Sequence, residues 1–239
     1  MKPLDPALKH SMRTRLLILL AATLFAPPPR TAAGTGEAAP PRRLKRSEAF
    51  LGIHFDFHAG RDCTEIGKNT TREMIAAILD QVRPDYLQID CKGHPGLSSY
   101  PTRVGHPAPG FVGDPLRLWR QVTAERGVAL YMHYSGVWDS VAVQRHPDWA
   151  AVHADGTPDK NATSLFGPYV DRLLIPQLRE LAGEYGADGV WVDGDCWAAI
   201  PDYSPAAVRA FREATGLEAV PRGAGEPHWT AWMDFHREA

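Results

Sequence analysis

The chain has 239 residues, 44% of them hydrophobic, and a formal net charge of −2. That length supports one well-buried core, and the composition excludes a disordered chain, a collagen-like chain or a disulfide-stapled miniature protein. The charge is uneven: residues 1–47 hold nine Lys and Arg against two acids, which leaves −9 for the remainder, and an acidic body argues against nucleic-acid binding, which needs a basic face.

The basic start reads as a targeting segment. Arg13 and Arg15 precede the apolar run from Leu16 to Ala26, which is too short to span a bilayer but suits a signal-peptide core, with Thr31, Ala32 and Ala33 as small residues for cleavage. Residues 1–33 are therefore expected to be a signal peptide, and the protein to be secreted or periplasmic, with no membrane association beyond export. Residues 34–47, rich in Pro, Ala, Gly and Thr at their start, read as a flexible linker. The folded part is expected at 48–239.

Within it, β-branched or aromatic runs at 50–57, 85–91, 128–134 and 189–193 predict strands, and 3.6-residue periodicity predicts helices at 71–82, 114–126 and 169–185. Thr70 or Thr71 and Asp114 are candidate N-caps, and Pro115 suits a first helical turn. In the third helix Val170, Leu173, Leu174, Leu178, Leu181 and Tyr185 form the expected buried stripe, with a kink at Pro176. Arg117, Arg120 and Arg126 are expected on a solvated helix face. Further helical stretches follow at 204–215 and 226–239.

Alternation of strand and helix predicts a parallel sheet with helices outside it. Helix-to-strand links are tight, whereas strand-to-helix loops are long and rich in Gly, His, Pro and Trp, which is where barrel and doubly wound proteins keep their sites. A complete (β/α)8 barrel needs about 250 residues and eight strands. The expectation is thus an α/β fold, the first half of a (β/α)8 TIM barrel, about four βα units, truncated at its C-terminus.

The strand ends carry the chemistry. Side chains alternate between the faces of a strand, so His54, Asp56 and His58 share one face of the first, and Gln88, Asp90 and Lys92 one face of the second. The third supplies His133 and Tyr134, and the fourth supplies Trp191 and Asp193, followed by Asp195 and Trp197. Polar residues at inward strand positions are costly unless they pair or react. Two carboxylates with aromatic and His/Lys neighbours suit hydrolysis of a glycosidic bond, in which one carboxylate is the nucleophile and aromatics stack on the sugar. Three cysteines, Cys63, Cys91 and Cys196, allow at most one bridge.

Three stretches resemble the α-L-fucosidases. Tyr86-Leu-Gln-Ile-Asp-Cys-Lys-Gly-His-Pro-Gly, with the following Tyr100-Pro-Thr, resembles their second-strand Lys-His-His-Asp-Gly-Phe motif and its aromatic-Pro-Thr. Phe50-Leu-Gly-Ile-His-Phe looks like their first strand, and Tyr185-Gly-Ala-Asp-Gly-Val-Trp-Val-Asp-Gly looks like their nucleophile strand. The chain is also similar to hypothetical glycosyl hydrolases grouped beside the fucosidases and the α-galactosidase clan. The resemblance implies a retaining mechanism with Asp193 as nucleophile, contacts from His54, His94 and His133 to sugar hydroxyls, and Trp191 and Trp197 in the wall. It also implies an acid/base residue beyond Ala239, so the fragment alone is expected to be inactive. One histidine and one carboxylate of the family motif are replaced here by Gly93 and Pro95.

On this reading the substrate-binding set is His54, Asp56, His58, Asp90, Lys92, His94, His133, Tyr134, Trp191, Asp195 and Trp197, the partner is a carbohydrate, and neither cofactor nor metal is needed. Two other readings remain open. One is a non-catalytic or degenerate carbohydrate-binding fragment. The other is a metal-dependent hydrolase, because His54-x-Asp56-x-His58 resembles the first-strand ligands of the amidohydrolases.

Overall fold

Four strands pair side by side in chain order: β1 (Gly52–Phe55), β2 (Tyr86–Lys92), β5 (Ala129–Ser135) and β8 (Gly189–Asp193). All three pairings are parallel, with Gly52 opposite Tyr86, Gln88 opposite Tyr131, and His133 opposite Trp191. The computed structural model describes residues 41–193 and 201–239. Asp195, Cys196, Trp197 and the expected signal peptide lie outside them.

Helix α1 (Arg72–Val82) starts where the Thr71 hydroxyl accepts the Met74 N–H, and α2 (Pro115–Glu125) where Asp114 accepts the Arg117 N–H, with Pro115 in its first turn. Both are side-chain caps for otherwise orphaned donors. One face of the sheet (Leu87, Ile89, Leu130 and Met132) forms a single apolar cluster with Ile75 and Leu79 of α1, Leu116, Trp119 and Val122 of α2, and Leu181 and Tyr185. Truncating a buried leucine there, such as Leu130, to alanine would cost about 2–5 kcal/mol.

The third long helix is not simply kinked. Its central piece, α4 (Ile175–Glu180), is flanked by π-helical turns at Val170–Leu174 and Leu181–Tyr185. Pro176 has no N–H to offer a preceding carbonyl, and the widened turn before it, closed by Ile175 N–H on Val170 O, carries the helix through. Gln177 and Glu180 are buried on this helix although the apolar stripe omits them. Glu180 accepts from Tyr100 Oη at 2.8 Å, the Thr102 hydroxyl and the Arg103 N–H at 2.7 Å, and Gln177 joins Tyr134 Oη at 2.9 Å to Ser98 Oγ at 2.7 Å. The first long loop is thereby fastened to the helix. It contains β3 (Leu97–Ser98) and β4 (His106–Pro107), and β3 runs antiparallel to the end of β2. That pairing sets Ser98 opposite Lys92, past the Phe55–Ile89 end of the β1–β2 ladder.

Arg120 departs from the solvated face expected of it. Its guanidinium lies 2.6 Å from Asp188 Oδ2 and also reaches the carbonyls of Gly186 and Val128, while Asp188 accepts the Leu130 N–H at 2.8 Å. Arg117 does remain exposed, whereas Arg126 is half-buried and paired with Asp80 at 3.2 Å.

The second long loop contains α3 (Ser140–Arg145) and the antiparallel pair β6 (Ala150–Val152) and β7 (Pro158–Thr163). Helices α5 (Pro205–Thr215) and α6 (Trp229–Glu238) cover this insertion, not the parallel sheet: Tyr203, Phe211 and Trp232 pack with Val152, Ala154 and Phe166. Asp202 secures the junction, accepting the N–H groups of Val152 and Ser204 and the hydroxyls of Ser164 and Ser204. Among the described residues no helix is long and apolar enough to cross a membrane.

Candidate functional site

With the helices on one face, the other face of the sheet keeps its polar side chains at the strand C-termini. His133 is their centre and is 3% exposed. Its Nε2 lies 3.2 Å from Asp193 Oδ2, and its Nδ1 lies 3.2 Å from Asp90 Oδ1. Trp191 stacks on its ring with centroids 5.0 Å apart, and His54 and His58 approach it at 5.4 Å. The Asp90 carboxylate does most to raise the His133 pKa, burial opposes it, and Asp193 adds to the rise.

Asp193 faces the open side. His94, carried by the loop after β2, holds Ser135 Oγ through Nδ1 and places Nε2 3.9 Å from Asp193 Oδ2. Asp90 is buried. Its Oδ2 takes the Ser99 hydroxyl, and its Oδ1 faces His58 Nδ1 at 2.9 Å, while His58 Nε2 meets Asp56 Oδ1 at 2.7 Å. Gly93 permits this crowding: a Cβ there would sit 2.8 Å from His58 Nδ1. Trp191 remains 49% exposed beside these groups, giving an apolar ring next to a carboxylate.

His54, Asp56, His58, Asp90, His94, His133, Trp191 and Asp193 are thus brought to one cleft. Lys92 and Tyr134 are not, and both placements are corrections. The β2–β5 register shifts between Asp90 and Lys92, a bulge that turns Lys92 off the Asp90 face. Lys92 Nζ is buried 3.2 Å from Asp139 Oδ2, donates to Trp138 O, and lies over the Tyr134 ring. Burial lowers its pKa while Asp139 opposes the fall. Tyr134 follows Met132 on the helix side of β5 and donates to Gln177. Gly96 is required beside this pair: its φ is +92°, and a Cβ there would lie 1.9 Å from Asp139 Oδ1.

Ser135 and Ser99 are the participants that were not anticipated. Ser135 is two residues past His133, so the same alternation that identified His133 also marks it; Ser99 arrives through the β3 return, which has no comparable signal. Gln88 sits one level below Asp90, with Nε2 buried and lacking a hydrogen-bond partner among the described residues. Cys63 and Cys91 are free thiols, and Cys91 Sγ donates to His133 O. His146 stacks on Trp149 at 4.0 Å as part of loop packing and takes no part in the cleft.

The strand order and the one-sided helix layer define an α/β fold similar to that of a fucosidase catalytic domain. The α-L-fucosidase isoenzyme 2 from Paenibacillus thiaminolyticus matches with a TM-score of 0.63 and 21% identity, over 80% of this chain and 28% of that one. A hypothetical protein from Ruminiclostridium thermocellum matches with 0.48 and 14%, over 78% and 91%, and an α-L-fucosidase from Vibrio sp. with 0.44 and 18%, over 69% and 34%. The chain spans little more than a quarter of the first fucosidase. No family model and no curated protein matches the sequence.

Proposed function

We propose that this chain is the N-terminal part of an exported, retaining glycoside hydrolase of the α-L-fucosidase type, its four parallel strands being the first half of a (β/α)8 barrel. The observation that carries the reading is Asp193 at the C-terminal end of β8, held by His133 at 3.2 Å with His94 on its open side and the exposed Trp191 beside it. In this reading Asp193 attacks the anomeric carbon and forms a covalent glycosyl ester, Trp191 stacks on the sugar, and His54 and His94 take its hydroxyls.

The test uses the complete protein and a panel of 4-nitrophenyl glycosides including the α-L-fucoside. Asp193→Ala should lower kcat on the order of 10⁴-fold with folding intact, and a 2-fluoro fucosyl substrate should leave its sugar on the peptide containing Asp193. Turnover by Asp193→Ala at the parent rate would sink the proposal.

A further inference from the structure

A carboxylate nucleophile leaves much of the cleft's donor set unused. Asp56, His58, Asp90 and His133 each place one ligand atom within 4.8 Å of those of the other three. Separations from His133 Nδ1 are 3.2 Å to Asp90 Oδ1 and 3.7 Å to Asp56 Oδ1, and His58 Nδ1 lies 2.9 Å from Asp90 Oδ1. A tetrahedral site with arms of about 2.0–2.1 Å has edges of about 3.3 Å, a length that these three of its six separations bracket, with the widest of the six within 4.8 Å.

The second observation concerns satisfaction. Asp90 Oδ1 and His133 Nδ1 are buried atoms without a hydrogen-bond partner among the described residues: they are near each other but not aligned to bond. Buried polar atoms are rarely left so. Both belong to side chains whose other polar atom is committed, Asp90 Oδ2 to Ser99 and His133 Nε2 to Asp193. A histidine fixed through its far nitrogen by a carboxylate presents its near nitrogen as a lone pair, which is how metal-ligating histidines are oriented.

We infer that the cleft binds one divalent first-row transition ion of the zinc class through Asp56, His58, Asp90 and His133. Two imidazole nitrogens with two carboxylate oxygens select such an ion over calcium or magnesium, which prefer all-oxygen shells. Asp90 and His133 form the fixed floor, and the side chains of Asp56 and His58, 58% and 39% exposed, form the solvent side through which the ion enters. His54 is outside the set; its ring meets those of His133 and Trp191 edge-on. Ion binding needs no sugar, so the inference stands or falls separately from the glycosidase reading.

The test is calorimetric titration of the chelator-stripped full chain with zinc chloride, supported by the visible absorption of the cobalt(II) form. One equivalent should bind, with calcium and magnesium giving no saturable heat. Asp56→Asn and His58→Ala, both at exposed positions and checked for folding by circular dichroism, should each weaken zinc binding about 100-fold. Asp193→Asn, which weakens the support of His133 Nε2, should weaken it roughly 10–100-fold, and His54→Ala should leave zinc affinity as it was. No saturable binding at millimolar zinc, or binding that survives both Asp56→Asn and His58→Ala, would overturn the assignment.

Discussion

His133 Nε2 lies 3.2 Å from Asp193 Oδ2 across neighbouring strands, so the β5–β8 register, which sets His133 opposite Trp191, also sets the aim of the carboxylate. His133→Gln should lower kcat in the complete protein by about 100-fold, the usual result of misplacing a reacting group by an ångström, while KM changes little. Steady-state kinetics on an aryl glycoside check this; parent kcat in the variant would show that Asp193 needs no such support.

Trp191 stands half exposed at the cleft, so its removal tests binding with little effect on folding. Trp191→Ala should raise KM about five- to tenfold, the equivalent of one stacking contact, and leave the midpoint of chemical denaturation within error. A large loss of stability would mean that the ring serves the core.

Arg120 and Asp188 form a mostly buried ion pair, 10% and 19% exposed at their side chains. Removing one partner of such a pair strands the other charge, so Arg120→Ala should cost about 3 kcal/mol in guanidinium unfolding. Arg117→Ala, one turn away and half exposed, removes a surface ion pair with Asp114 and a contact over the Tyr185 ring and should cost no more than about 1 kcal/mol.

His236 links stability to pH. Its Nε2 accepts the Asp202 N–H at 3.0 Å and its Nδ1 faces Trp232 O at 2.8 Å, an arrangement of the neutral ring. Burial, the largest influence, lowers its pKa. As pH falls below about 6.5 the unfolded chain takes up a proton that the folded chain refuses. The His236 contribution to stability is therefore complete above that pH and is lost on acidification until the folded pKa is reached. Denaturation midpoints measured across this window should fall with pH, and less steeply in His236→Gln.

The sheet and its helices were legible because alternation in strands and capping at Thr71 and Asp114 are local signals. What escaped was set by distant parts of the chain. Arg120 looked solvated because Asp188, its partner, belongs to the turn before β8. Lys92 looked like a cleft residue because a bulge leaves no mark on periodicity, yet one extra residue there sends a cation to the opposite layer. Gln177 and Glu180 interrupted an apolar stripe for the sake of a loop some eighty residues earlier. In the cleft the histidines and aspartates stood out as inward polar residues, whereas Ser99 entered through a two-residue strand too short to read. Asp195 and Trp197 lie outside the described residues.

Strand order that repeats chain order bears on synthesis. Each parallel strand after the first has a parallel neighbour already made: β2 has β1, β5 has β2, and β8 has β5. The sheet can therefore be laid down in the direction in which the ribosome delivers it, with no strand waiting for a central partner still to be translated. Asp90 and His133 would be in position before β8 emerges, and the arrival of that strand adds Trp191 and Asp193 together.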